Sequence, residues 1–226
     1  METAAPPVIG APRVPLSRAR IVDAALLLID TEGLEALSMR KLGAALGVEA
    51  MSLYNHVRNK DDLLGAISDH LSTEVLAEFE RTADAAATWQ DRARAMAHAY
   101  WNLARARPRA FALVSERPID SMNGMQMLAR CLEIFTDAGL SFADATTAFH
   151  VSASWMMGTI AQELGLLHKL AEAGGLGVTD VPESLVRIVD FRDACIAQSP
   201  EARFADGLEI VLAGIETRLA VARPHP

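Results

Sequence analysis

The sequence predicts an all-α protein, a small three-helix domain followed by a larger helical domain, and three observations carry that expectation. Aromatic residues make up only 5% of the 226 residues, while Ala, Leu and Met are plentiful. Unbranched side chains lose little rotamer freedom in a helix, so this bias favours helices over sheets. Apolar residues recur at three- and four-residue spacing along most of the chain, the period of a helix with one buried face. No stretch alternates with period two between turn residues, the pattern a half-buried strand needs.

Residues 1–16 hold Pro6, Pro7, Pro12 and Pro15 and read as a flexible arm. Ser17 caps a first helix carrying Ile21, Ala25 and Leu28, which ends at Gly33. Ser38 caps a second, short helix with Leu42 and Leu46 on one face, stopped near Gly47. A third follows from about Ala50 to Val57. Asn59 to Asp62 has the form of a capping box opening a helix with Leu63, Ile67 and Leu71. These elements place one domain at residues 17–80, its last helix serving as connector, and a second at 81–226.

The helices then lengthen. Thr88 to Asp91 opens one that carries Trp89, Ala93, Met96, Tyr100 and Leu103 and ends before Pro108. Segments from about Arg109 to Ser115 and from Gly124 to Ala138 follow, the second stopped by Gly139. Ser141 to Asp144 caps a long helix to about Leu170; Ala173 to Thr179 is a glycine-rich loop. Asp180 to Glu183 restarts a helix to about Gln198. Ser199-Pro200, a cap followed by proline at the first helical position, launches the last one to about Val221.

Composition narrows the function classes. At 51% hydrophobic residues the chain affords a sizeable core, yet its longest apolar run, Ala24 to Ile29, is too short to span a bilayer. No export pattern opens the sequence, and two cysteines make no disulfide framework, so a reducing cytoplasm is expected. Net charge is −8, but residues 1–60 sum to +1 and the remainder to −9. A near-neutral head on an acidic body suits a protein that meets a polyanion with one end. Nucleophile elbow, phosphate loop, paired zinc ligands and dinucleotide fingerprint are all absent, so an enzyme is not expected.

The informative segment runs from Leu37 to Lys60. Leu42, Leu46, Val48, Leu53 and Val57 lock two short helices against the first, with Gly47 at the sharp turn. Ala50, Met51, Ser52, Tyr54, Asn55 and His56 remain outward, a face without carboxylates, as suits a helix presented to DNA. Arg40 can reach a base edge or a phosphate, and Lys60 a backbone phosphate.

This segment closely resembles the TetR family of helix-turn-helix regulators, through Ser-Met-Arg-Lys-Leu at 38–42, Leu-Gly-Val at 46–48, Leu-Tyr-Asn-His-Val at 53–57 and Asn-Lys at 59–60. The resemblance implies that Ala50, Met51, Ser52, Tyr54 and His56 read bases, that Ser38, Tyr54 and Lys60 touch phosphates, and that Arg40 touches a base. It implies double-stranded operator DNA as a partner. More loosely, the second domain resembles the ligand-binding and dimerisation domain of the tetracycline-repressor branch, through Ser-Glu-Arg-Pro at 115–118, Asp-Ala-Gly-Leu-Ser at 137–141 and Trp-Met-Met-Gly at 155–158. That implies a homodimer in which helices 141–170 and 200–221 form a four-helix bundle with their mates, and a small-molecule effector.

The second domain also departs from that branch. Where the tetracycline repressors carry a histidine and a glutamate for a metal-bound drug, this sequence has Leu113 and Gln162, with Glu163 one residue on. A ligand other than magnesium-tetracycline is expected, with no metal and no cofactor. His98, His150 and His168 lack metal-ligand spacing. Met96, Tyr100, Leu113, Met127, Phe149, His150, Ala153 and Gln162 are the candidate ligand-binding residues; a plain hydrophobic core is the alternative for the Met and aromatic stripe, and Cys131 reads as a buried small hydrophobe. The expected function is a ligand-responsive repressor, with a ligand-blind or protein-responsive DNA-binding regulator as the alternative.

Overall fold

The computed structural model describes residues 15–84, 87–117, 121–167, 182 and 186–222, and these are helices and short connections, with no strand among them. The chain divides into two compact units, residues 1–67 and 68–226.

In the first unit, α1 (Arg18–Glu32) starts where Ser17 Oγ accepts the Arg20 amide at 3.2 Å and stops at Gly33. A 3₁₀ turn (Leu34–Ala36) leads to α2 (Met39–Leu46), capped by Ser38 Oγ on the Lys41 amide at 3.3 Å. Gly47, at φ 68° and ψ 33°, takes the left-handed conformation that turns the chain into α3 (Ala50–Leu53). The expected helix to Val57 is shorter: residues 54–56 form a turn, closed by the Val57 amide on the Leu53 carbonyl. Ile21, Ala25, Ile29, Leu42, Leu53 and Val57 are at most 1% exposed and form the core between these helices.

The unit boundary falls within α4 (Lys60–Thr82), which lends Leu63 and Ile67 to the first core and Leu71, Val75 and Phe79 to the second. The expected capping box at its start is half made. Asn59 Oδ1 accepts the Asp62 amide at 2.8 Å, but the Asp62 carboxylate takes the Arg58 amide instead of the amide of Asn59.

The second unit continues with α5 (Trp89–Ala106), α6 (Ala112–Glu116), α7 (Met122–Asp137), α8 (Phe142–Gln162), α9 (Val186–Ala197) and α10 (Pro200–Ala222). The capping box of Thr88 and Asp91 is complete, and Ser141 and Ser199 cap α8 and α10 as expected. The segment expected from Arg109 is a turn up to Phe111, and α7 starts two residues early because Ser121 Oγ caps it on the Gly124 amide. The expected helix to Leu170 changes register after Gln162 into a π-turn (Glu163–Leu167). The arm over 1–14, the glycine loop at 173–179, the start of a helix at Asp180 and His168 lie outside the described residues.

Helix α5 packs against α7, α8 and α10, and α8 against α7 and α10. Phe204 of α10, fully buried, is the hub. Trp101 stacks on its ring at a centroid distance of 4.5 Å, Trp155 at 5.5 Å, and His98 meets it edge-on at 5.7 Å. Gly207 lets Trp155 lie down on α10, since a β-carbon there would come within 2.6 Å of the indole.

Candidate nucleic-acid interface and ligand region

The first unit is a helix-turn-helix held by close backbone approach. Gly43 on α2 faces the start of α3, where a β-carbon would meet the Val48 carbonyl oxygen at 2.9 Å and the Ala50 amide nitrogen at 3.1 Å. With Gly47 left-handed and Leu42 and Leu53 wholly buried, the angle between α2 and α3 is set by contacts that only glycine at 43 permits.

This geometry leaves the expected residues on the surface. Met51 is 74% exposed and Tyr54 42%; Asn55, Arg40 and Lys60 are exposed, and Ala50, Ser52 and His56 half-buried. Ser38 is exposed while its hydroxyl caps α2. Glu49, at the N-cap of α3, is an exposed carboxylate on the rim of this surface. Lys41 is drawn aside by Glu32 at 2.7 Å.

A second feature escapes local sequence reasoning. Arg18, at the start of α1, grips the Asp62 carboxylate with two nitrogens at 2.9 and 3.1 Å and donates from Nη1 to the His56 carbonyl at 3.0 Å. The Arg18 guanidinium, with the Arg58 amide, holds the Asp62 carboxyl well below the usual carboxylate range. The chain from His56 to Asp62 is thereby tied to α1. Partners this far apart in sequence leave no periodic signal.

In the second unit, Met96, Tyr100, Leu113 and Met127 are each 5% exposed. The Tyr100 hydroxyl donates to Met127 Sδ at 3.0 Å, a weak acceptor, and burial pushes the phenol well above its ordinary range. The Leu113 carbonyl accepts from Ser68 Oγ at 3.0 Å. Cys131 is buried, its thiol pushed up to about 12. Phe149 and Ala153 are half-buried, whereas His150 and Gln162 are exposed on the single chain. One polar atom sequence reading did not single out stands here: Ser152 Oγ on α8 is enclosed and has no hydrogen-bond partner. Glu163 is 6% exposed at its side chain and paired with Arg203 at 2.6 Å. Among the described residues no cluster of His, Cys, Asp or Glu is arranged for a metal ion, and no helix is long and apolar enough to cross a membrane.

Two short helices joined by a left-handed glycine, the second of them exposed, in a chain that continues into a larger helical unit, define a helix-turn-helix DNA-binding regulator. The chain belongs to the TetR family: residues 21–67 match the family of bacterial regulatory proteins, tetR family, and residues 82–219 the tetracyclin repressor-like C-terminal domain. It is 28% identical over 207 residues to the class D tetracycline repressor protein of Escherichia coli, covering 90% of this chain and 91% of that one. It is 31% identical over 154 residues to the transcriptional repressor DrrR1 of Streptomyces coeruleorubidus, covering 68% of this chain and 56% of that one. Among solved structures, apo ActR from Streptomyces coelicolor superposes with a TM-score of 0.75 at 26% identity, over 93% of this chain and 99% of ActR. ActR in complex with actinorhodin gives 0.74 at 25% identity, over 91% and 99%.

Proposed function

We propose that this chain is a transcriptional repressor that binds a palindromic operator as a homodimer and is released by a small molecule other than magnesium-tetracycline. The exposed surface of α3 and its following turn carries the reading. Met51, Tyr54 and Asn55 stand open to solvent on a scaffold whose buried side is fully used by Leu53 and Val57. Side chains so placed reach base edges when the helix enters a major groove, while Ser38 and Lys60 flank them for phosphates and Arg40 for a base.

The dimer is supported by what α8 and α10 leave uncovered. Thr147, Val151, Ser154, Gly158 and Ala161 form an exposed stripe at alternating four- and three-residue spacing on α8, and Ile210, Gly214 and Thr217 one on α10. Ile210 is 75% exposed, and β-carbons added at Gly158 or Gly214 would meet nothing within 4 Å. Small residues on two packed helices suit close approach of the same two helices from a second copy.

Ligand response is supported by two under-satisfied hydroxyls in an apolar unit. Among the described residues the Tyr100 hydroxyl has a thioether as its acceptor and Ser152 Oγ has no partner; a ligand carbonyl or hydroxyl group would satisfy either one. Leu113 stands buried where the metal-drug site has a histidine, and Glu163 is spent on Arg203, which speaks against the magnesium complex. ActR, a structural neighbour, has been solved in complex with actinorhodin, which supports an organic ligand for this chain too.

In the mechanism, one dimer state spaces two recognition helices by about 34 Å, one helical turn of DNA. A ligand that prefers the other state withdraws the protein from DNA by its differential affinity alone, and DNA weakens ligand binding by the same factor. Selection of genomic fragments by the purified protein, followed by gel shifts, tests this reading. A palindromic site bound by two chains and weakened by Arg40→Ala supports it; binding indifferent to sequence refutes it.

A further inference from the structure

The Asp62 carboxylate is the meeting point of the first unit's polar contacts. Its side chain is only 12% exposed. It accepts two bonds from the Arg18 guanidinium and one from the Arg58 amide at 2.8 Å, and it touches Arg58 Nη2 at 3.5 Å. Through Arg18 it is joined to the His56 carbonyl, and its own amide is held by Asn59. The backbone from the turn after α3 into α4 is therefore held at the His56 carbonyl, the Arg58 amide and the Asp62 amide.

That backbone carries an outward cation. The Arg58 side chain is 87% exposed although its amide is pinned beneath it. Asn59 and Lys60 are exposed next in line, at the N-terminus of the 23-residue α4, the end of a helix that carries positive partial charge. A flexible loop would lose conformational freedom on binding DNA; a loop already stapled on three backbone groups loses little.

We propose that Arg58 is a DNA-backbone contact, and that Asp62, locked by Arg18, is the positioning residue that presents Arg58 and Lys60 to one phosphate segment. This inference rests on the DNA-binding reading above. It assigns Asp62 a role opposite to its charge: a carboxylate beside DNA repels phosphates, yet its removal is expected to weaken binding.

The experiment measures affinity against salt for the full chain, on the selected operator fragment and on a random-sequence duplex of equal length. Neutralising one phosphate contact lowers the slope of log K against log salt by about 0.9. Arg58→Gln, an exposed substitution that leaves the pinned amide in place, is expected to lower the slope by about twice that amount on both duplexes, one contact from each chain of the dimer, and Arg58→Lys to restore it. Asp62→Asn is expected to weaken binding despite the lost negative charge, and to add little in the Arg58→Gln background. An unchanged slope for Arg58→Gln, or tighter binding by Asp62→Asn, overturns the proposal while salt-dependent operator binding by the parent chain keeps the DNA reading intact. No DNA binding by the parent chain overturns both. If Asp62→Asn loses its helical signal, the Arg58 pair alone decides.

Discussion

The Val48 carbonyl oxygen lies 2.9 Å from the point where a β-carbon would stand on Gly43. Alanine is the better helix former by about 1 kcal/mol, so Gly43→Ala would stabilise an isolated α2. Here the obstructing atoms are backbone, the Val48 oxygen and the Ala50 nitrogen and α-carbon, and cannot rotate away. Overpacking of this kind costs about 1–3 kcal/mol and outweighs the propensity gain. Gly43→Ala is expected to lower the melting temperature of the first unit and to weaken DNA binding, read by thermal denaturation and gel shift on one preparation.

The lowered Asp62 pKa fixes a pH dependence. A carboxyl whose folded value lies below its ordinary 3.8 stabilises the fold fully above that value, and the stabilisation is lost as pH falls toward the folded value. Wild type is expected to be more stable than Asp62→Asn at neutral pH, with the gap narrowing progressively as pH falls below about 4. Urea midpoints of both proteins across that range check the sign; a gap that widens in acid would contradict the staple.

Arg203 holds Glu163 through Nε at 2.8 Å and Nη2 at 2.6 Å, and also binds the Gln198 carbonyl. With 18% of the arginine side chain and 6% of the glutamate exposed, removing one partner strands a charge, at a cost of about 3–5 kcal/mol. Glu163→Gln is expected to be strongly destabilising, while Glu163→Met combined with Arg203→Met recovers most of the loss. Chemical denaturation of the parent and both variants distinguishes this from a ligand-binding role, in which stability would stay level.

Phe204→Ala removes the ring on which Trp101, Trp155 and His98 rest. A cavity at a fully buried phenylalanine costs about 3–5 kcal/mol, and a red-shifted tryptophan emission is expected with it. An unshifted spectrum and unchanged melting point would show that the stack contributes little.

Much of the fold was legible because its signals are local. Ser17, Ser38, Thr88, Ser141 and Ser199 cap helices within three residues of themselves, and Gly33, Gly47 and Gly139 take positive φ where each turn needs it. The outward set from Ala50 to His56 followed from subtracting the buried Leu53 and Val57. What stayed hidden depends on partners distant in sequence. Gly43 reads as an ordinary helical residue until α3 is laid against it, and the Arg18–Asp62 staple spans 44 positions. Period alone also does not decide which of two apolar faces turns inward, so His150 and Gln162 sit on the outside of the chain while the enclosed Ser152 went unnoticed.

The aromatic stack has a practical corollary. The chain's three tryptophans, Trp89, Trp101 and Trp155, all belong to the second unit, two of them against Phe204. Of its two tyrosines, Tyr54 stands on the turn after α3. Ultraviolet excitation at the red edge therefore illuminates the second unit alone, while the helix-turn-helix stays optically silent. Under the proposed ligand response, a compound that enters the second unit is expected to alter this emission, so candidate effectors can be tested without label, reporter gene or knowledge of the operator.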